Sequence, residues 1–354
     1  MRSLLLMSVL ACVAEAQEVV WTDVQALGVE GKGWTDTKAY YDRLPARAEG
    51  KVRDPVWKLS RHAAGLCVRF VTDAPELHAR WALTSSRLAM AHMPATGVSG
   101  VDLYLKTRGG WRWVAAPRPG KQLMNARLIS GLTRGRRLWM LYLPLYNGVS
   151  KVEIGVPKGH GVKPARSRPA SRGKPIVFYG TSITQGGCAS RTGMCHVAIL
   201  GRRLDRPVIN LGFSGNGRMD PEVVDLMCEL DPAVYVIDCL PNMDGRAVAK
   251  RTAPLVRKLR AARPRVPILL VEDRTYQDAH VNPGRARRNK ENRAALKAAY
   301  AALVKDGVRK LAYMDGNTLL GDDGEGTVDG SHPTDLGFMR QADAMEPILI
   351  RLLR

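Results

Sequence analysis

From residue 175 onward, short runs of unbroken apolar residues alternate with longer stretches of helical composition. The runs are 176–179, 208–211, 233–237, 266–271 and 311–314, as in Val266-Pro-Ile-Leu-Leu-Val271. A strand that is apolar at nearly every position has no face to offer water, so both of its faces must be covered. The intervening stretches at 196–204, 221–229, 246–262 and 290–305, with a last one over 334–353, supply that cover. The pattern calls for an α/β unit on a parallel five-stranded sheet. Such sheets bind ligands beyond the carboxyl ends of their strands. The loops after Tyr179, Leu211, Ile237 and Val271 are therefore the places to look for chemistry.

The first half has a different rhythm. Runs at 65–71, 77–83, 101–105, 111–114, 137–143 and 152–154 are short, and several alternate apolar with polar residues. Gly, Pro, Asp and Asn punctuate them. This predicts an all-β, jelly-roll-like sandwich over 17–157. Residues 158–174 hold Lys158, Lys163, Arg166, Arg168, Arg172 and Lys174 with no acid. Their Gly, Pro and Ser content predicts a basic linker, followed by the α/β domain over 175–354.

Residues 1–16 carry a basic start, a short apolar stretch and Ala14-Glu-Ala16, which reads as a secretory signal peptide. A buried first helix is the competing reading. Cys12, after Val9-Leu-Ala11, loosely fits a lipoprotein box. The expected location is thus exported, with lipid anchoring through Cys12 as the lesser alternative. Cleavage after Ala16 removes one base, Arg2, and one acid, Glu15, so the net charge of +21 belongs to the rest of the chain. Without Cys12, five of the six cysteines remain, and an odd number leaves at least one thiol unpaired. Cys188 and Cys195 are close enough in sequence to bridge, though nothing requires it. Neither C-x-x-C nor H-E-x-x-H occurs, so a structural zinc site is not expected.

Each strand-end loop offers one piece of a reaction. Gly180-Thr-Ser182-Ile-Thr-Gln-Gly186 lacks the lysine of a phosphate loop and is not the G-x-S-x-G elbow. Ser182 either caps a helix or faces a ligand. Asn210-Leu-Gly-Phe-Ser214-Gly215-Asn-Gly217 can bring backbone close to a bound group. Asn242 places an amide past a buried strand. In Asp329-Gly-Ser-His332, one helical turn would put both side chains on one face. There a carboxylate would fix the imidazole tautomer and leave the other nitrogen as a base. Nucleophile, oxyanion donors, base and orienter thus gather at one end of one sheet.

These four segments, in this order, resemble the sequence blocks of the SGNH/GDSL hydrolase superfamily. Gly180-Thr-Ser182-Ile-Thr is similar to its G-D-S block, with Thr181 where Asp is commonest. Pro241-Asn242 matches the G-x-N block with Pro for Gly. The resemblance, over about 175–353, implies a flavodoxin-like three-layer fold with Ser182 as nucleophile. It implies an oxyanion hole from the Ser182 and Gly215 N–H groups and the Asn242 amide, His332 as base and Asp329 as its orienter. It implies no metal or organic cofactor. Ser214 is the rival serine. Gly100-Val-Asp102-Leu-Tyr104 resembles the G-x-D-L-Y motif of a β-sandwich module found ahead of SGNH domains in exported bacterial hydrolases. Residues 186–194 and 271–276 look like the same subgroup, and the layout is similar to certain carbohydrate acetyl esterases.

The expectation is an exported esterase that removes short acyl groups from a carbohydrate. A lipolytic esterase or thioesterase would use the same triad but would need an apolar acyl cleft, and the chain has only four Phe. A non-catalytic glycan-binding protein is the third reading. The basic runs at 250–265 and 285–297 are either a solvated surface or a means of attracting an acidic glycan. Export and a content of only 6% aromatic residues argue against nucleic acid. Arg274 either contacts substrate or pairs with Glu272 or Asp273.

Overall fold

The computed structural model describes residues 18–354; the expected signal segment and Cys12 lie outside the described residues. Two antiparallel sheets come first. One has the order β1 (Val19–Asp23), β9 (Val149–Pro157), β4 (Leu77–Leu83), β7 (Leu123–Ile129). The other runs β10 (Lys163–Pro164), β3 (Cys67–Thr72), β8 (Arg137–Tyr142), β5 (Asp102–Thr107), β6 (Gly110–Ala115), with β2 (Val29–Glu30) also on β3. β4 shows why they stack. Leu77, Ala79, Trp81 and Leu83 are buried, while the residues between them are only partly covered. The buried set packs with Val68, Phe70, Leu103, Trp139 and Leu141 of the facing sheet.

The α/β part is a five-stranded parallel sheet, β12 (Val208–Gly212), β11 (Ile176–Gly180), β13 (Val234–Asp238), β14 (Ile268–Val271), β15 (Leu311–Met314). Counted within this part the order is 2-1-3-4-5, that of flavodoxin, whose ligand crevice opens beside the first strand. Every residue of the first four strands is buried. The helices α1 (Asp54–Ser60), α2 (Ala95–Val98), α3 (Ala170–Gly173) and α4 (Ser182–Gln185) are short. The main covering helices are α5 (His196–Leu204), α6 (Pro221–Glu229), α7 (Gly245–Ala262), α8 (Pro283–Lys305) and α9 (Asp335–Leu352).

The two halves differ in rhythm but share cores. Between β2 and β3 the chain leaves the sandwich. Trp34, Leu44, Val52, Val56 and Trp57 pack with Tyr179, Ile209, Leu211 and Leu230 of the α/β part. On the opposite face, Met93, Val98, Tyr104 and Tyr142 join Phe178, Ile183 and Leu200. The expected linker is likewise stitched down. β10 pairs with Phe70 and Val71 of β3. The Arg168 side chain, 6% exposed, reaches Glu30 of the sandwich at 2.7 Å and Asp205 of the α/β part at 3.4 Å.

Candidate active site

Ser182 lies two residues past β11 and opens the four-residue helix α4 (Ser182–Gln185). Thr181 caps that helix by accepting from the Ile183 N–H at 3.3 Å, so the hydroxyl does the local work of the commoner Asp. Ser182 Oγ lies 2.8 Å from His332 Nε2. His332 Nδ1 lies 2.7 Å from Asp329 Oδ2. Asp329 Oδ1 also accepts from the backbone N–H groups of Ser331 (3.0 Å) and His332 (2.7 Å). These bonds hold Asp329 and His332 together in a tight loop, where the sequence suggested a helical turn. Partial burial would raise the Asp329 carboxyl. The His332 backbone N–H and imidazole outweigh it and hold the carboxyl below its ordinary value.

Gly215 sits in the loop after β12 with φ +68, and a Cβ there would meet only open space. Its N–H donates to no backbone acceptor among the described residues. At Gly217 any Cβ would strike the Gly180 carbonyl, so glycine is required for the loops after β12 and β11 to touch. The Asn242 amide is oriented by its surroundings. In the amide orientation that satisfies both of its ends, Oδ1 accepts from the N–H groups of Asn216 (3.0 Å) and Gly217 (3.2 Å), which leaves Nδ2 as a donor. Ser214, the rival serine, donates its N–H to Gln185 Oε1 at 3.0 Å, while His332 Nε2 belongs to Ser182.

Arg274 corrects its expectation. It is buried, 3% exposed, and its guanidinium bridges Asp238 Oδ1 (2.7 Å) and Oδ2 (2.6 Å), with Nε donating to Gln341 (2.8 Å). It ties the end of β13 to α9 beneath the site and pairs with neither Glu272 nor Asp273. Cys188 and Cys195 are not bridged; both are free, as are Cys67, Cys228 and Cys239. Among the described residues no three His, Cys, Asp or Glu side chains gather as a metal ion would need. Much of the basic surface is engaged internally. Arg257 pairs with Asp306, Lys258 with Asp225 and Arg285 with Asp278. Arg263 and Arg288 cap backbone carbonyls.

The sandwich half supplies groups that sequence reasoning did not single out. Tyr146 donates its hydroxyl to the Ser182 carbonyl at 3.1 Å. The His92 ring stands edge-on to His332, centroids 5.9 Å apart. Gln185 Nε2 reaches His62 Nδ1 (3.1 Å) and the Leu145 carbonyl (3.1 Å). Arg43 is 2% exposed and donates to the carbonyls of Leu59 (2.6 Å), His62 (2.9 Å), Asn210 (2.8 Å) and Gly212 (2.8 Å). It thereby fixes the end of β12, from which the Gly215 loop departs. Burial lowers the Arg43 pKa to about 9, so it stays charged at neutral pH. Only the G-x-D-L-Y motif signalled such contacts. Its Asp102 accepts from Arg191 Nη1 (2.7 Å), the Gly193 N–H (2.9 Å) and Trp113 Nε1 (2.9 Å), pinning the loop that follows α4. Lone Arg, His and Tyr residues on irregular segments carry no such pattern.

Comparison with known proteins places the chain in a family and a fold. The family model for the GDSL-like lipase/acylhydrolase family matches residues 173–350, and that for the N-terminus of SGNH-hydrolase-type esterases matches residues 19–162. A crystal structure described as a GDSL-like lipase from Bacteroides ovatus is similar over 95% of this chain and 98% of its own, with 30% identity and a TM-score of 0.89. The salicylyl-acyltransferase SsfX3 from a tetracycline biosynthetic pathway shares the fold at 18% identity and TM-score 0.72, over 96% of this chain and 100% of its own. A family two carbohydrate esterase from Clostridium thermocellum does so at 15% identity and TM-score 0.58, over 82% and 95%. No curated protein matches. The chain belongs to the GDSL-like lipase/acylhydrolase family and is an ester-hydrolysing enzyme with an SGNH-esterase N-terminal module.

Proposed function

We propose that the protein is an exported serine esterase that removes acetyl or other short acyl groups from a carbohydrate. The observation that carries the mechanism is the unbroken hydrogen-bonded line from Ser182 Oγ through His332 to Asp329, at 2.8 and 2.7 Å. A serine hydroxyl is a weak nucleophile, so it needs a base within hydrogen-bond reach. As Ser182 Oγ attacks the ester carbonyl, its proton passes to His332 Nε2. The carbonyl oxygen becomes an oxyanion and receives hydrogen bonds from the Ser182 and Gly215 N–H groups and Asn242 Nδ2. Collapse expels the alcohol, which takes the proton from His332. Water then gives a proton to the same nitrogen and attacks the acyl-serine; collapse releases the acid, and His332 returns the proton to the departing Ser182 Oγ. Asp329, held below its ordinary pKa, stays ionised and stabilises the imidazolium.

The carbohydrate part of the reading is supported by the shared fold with carbohydrate esterases, among them an acetyl xylan esterase from Butyrivibrio proteoclasticus. Export is supported by the character of residues 1–16. The test is a series of 4-nitrophenyl esters from acetyl to long acyl, with acetylated oligosaccharides alongside. Acetyl is expected to give the highest kcat/KM, and Ser182→Ala to lose at least about 10³-fold in kcat. Full activity in Ser182→Ala would remove Ser182 from the mechanism, and a preference for long acyl chains would make the enzyme lipolytic.

A further inference from the structure

We infer that the sandwich module reads the alcohol half of the ester, with His92 as a specificity-determining residue for hydroxylated alcohols. The inference rests on the Ser182–His332 reading above. His332 Nε2 must return its proton to the leaving oxygen, so the alcohol departs alongside that imidazole. His92, contributed by the other half of the molecule, stands edge-on to His332 with ring centroids 5.9 Å apart and an interplanar angle of 69°.

His92 is exposed yet firmly presented. Met90 and Met93 exchange backbone hydrogen bonds of 3.0 and 3.1 Å, which makes Ala91-His92 the tip of a tight turn. Met93 is buried at 2% exposure and anchors the turn in the core shared by the two halves. The short helix α2 (Ala95–Val98) follows, and Thr96 Oγ1 donates to the Ser190 carbonyl at 2.5 Å. The turn is thus tied to the loop that follows the nucleophile. The His92 ring nitrogens bond to nothing within the described residues. A neutral imidazole offers one donor and one acceptor, the pair that a hydroxyl complements. An alcohol bearing a free hydroxyl beside its ester oxygen, as in a partly acylated sugar, can satisfy both. A bare aryl alcohol can satisfy neither.

The experiment compares acetate esters that differ only in the alcohol: 4-nitrophenyl acetate, glycerol monoacetate and a mono-acetylated hexose. His92→Ala is expected to lower kcat/KM for the two hydroxylated esters by about tenfold, mostly through KM. The loss on 4-nitrophenyl acetate is expected to stay under about threefold. His92→Gln, which keeps a donor and an acceptor, is expected to recover most of the lost discrimination. Equal losses on all three esters, or no loss on any, would overturn the inference. So would a wild type that cleaves 4-nitrophenyl acetate but neither hydroxylated ester. A wild type inactive on every ester would instead overturn the esterase reading beneath it.

Discussion

The two halves of the molecule reach the site in different ways. The α/β half delivers the proposed reacting groups on compact loops beyond the carboxyl ends of its parallel strands. Ser182 lies two residues past β11, and Asp329 and His332 share one turn. The sandwich half and the segment leaving it deliver single side chains far apart in sequence: Arg43, His62, Asp102 and Tyr146. These hold the loops around the proposed triad. Bond-making groups must sit within hydrogen-bond reach, which a sheet edge provides at little cost. Loop positions are instead set by buried contacts spread over the interface between halves. The difference predicts that lesions in the first group damage rate, and lesions in the second damage stability first.

The sharpest way to break this comparison is Arg43→Leu. It leaves the carbonyls of Leu59, His62, Asn210 and Gly212 without their shared donor. Buried acceptors without partners are costly, and a loss of about 4 kcal/mol in stability is expected by denaturant titration. Arg43→Lys should rescue little, because one ammonium cannot reproduce the fork of a guanidinium. A stable Arg43→Leu protein with impaired turnover would move Arg43 from scaffold to chemistry. Asn242→Ala tests the other side. Loss of one oxyanion donor typically costs about 10²–10³ in kcat, roughly 3–4 kcal/mol of barrier. The midpoint of unfolding should barely move, since Asn242 is not part of the buried core. A variant that unfolds easily would show that Asn242 matters through its bonds to Asn216 and Gly217.

The same division explains what could be read from the chain. The parallel strands were visible because burial on both faces leaves an unbroken apolar run. The four loops were visible because each compresses its chemistry into a few residues. β7 was missed because its pattern runs from exposed to intermediate, with only Leu128 buried. Arg274 had acidic neighbours in sequence, but the sheet register sets β14 beside β13 and brings Asp238 to it instead. The stretch 158–174 has the composition of a spacer. The pairing of β10 with β3 and the bridging of acids from both halves by Arg168 make it structural, and composition cannot foresee such contacts. His92 and Tyr146 lie in irregular segments, where their partners come from the distant α/β half.

The smallest expected effect sharpens the comparison by setting one imidazole against another. His332 belongs to the proposed triad, whereas His62 sits at the junction, with Nδ1 near Gln185 Nε2 and its carbonyl on Arg43. Burial, and then the Arg43 guanidinium, push the His62 pKa down from 6.5 to about 4. The folded protein therefore resists a proton that the unfolded chain accepts. Between those two values the unfolded state binds more protons, so stability rises with pH across the window and falls as pH drops through it. Well above pH 6.5 His62 is neutral in both states and adds no slope. His62→Gln removes this proton but keeps a polar side chain near Gln185. Thermal melts at steps from pH 7 to pH 4 should show the wild-type Tm falling more steeply than that of the variant. If the two curves fall in parallel, His62 takes up its proton in the folded protein as readily as in the unfolded chain. The junction would then be open to water, and the sandwich could not be holding the Gly215 loop through a dry, fixed network.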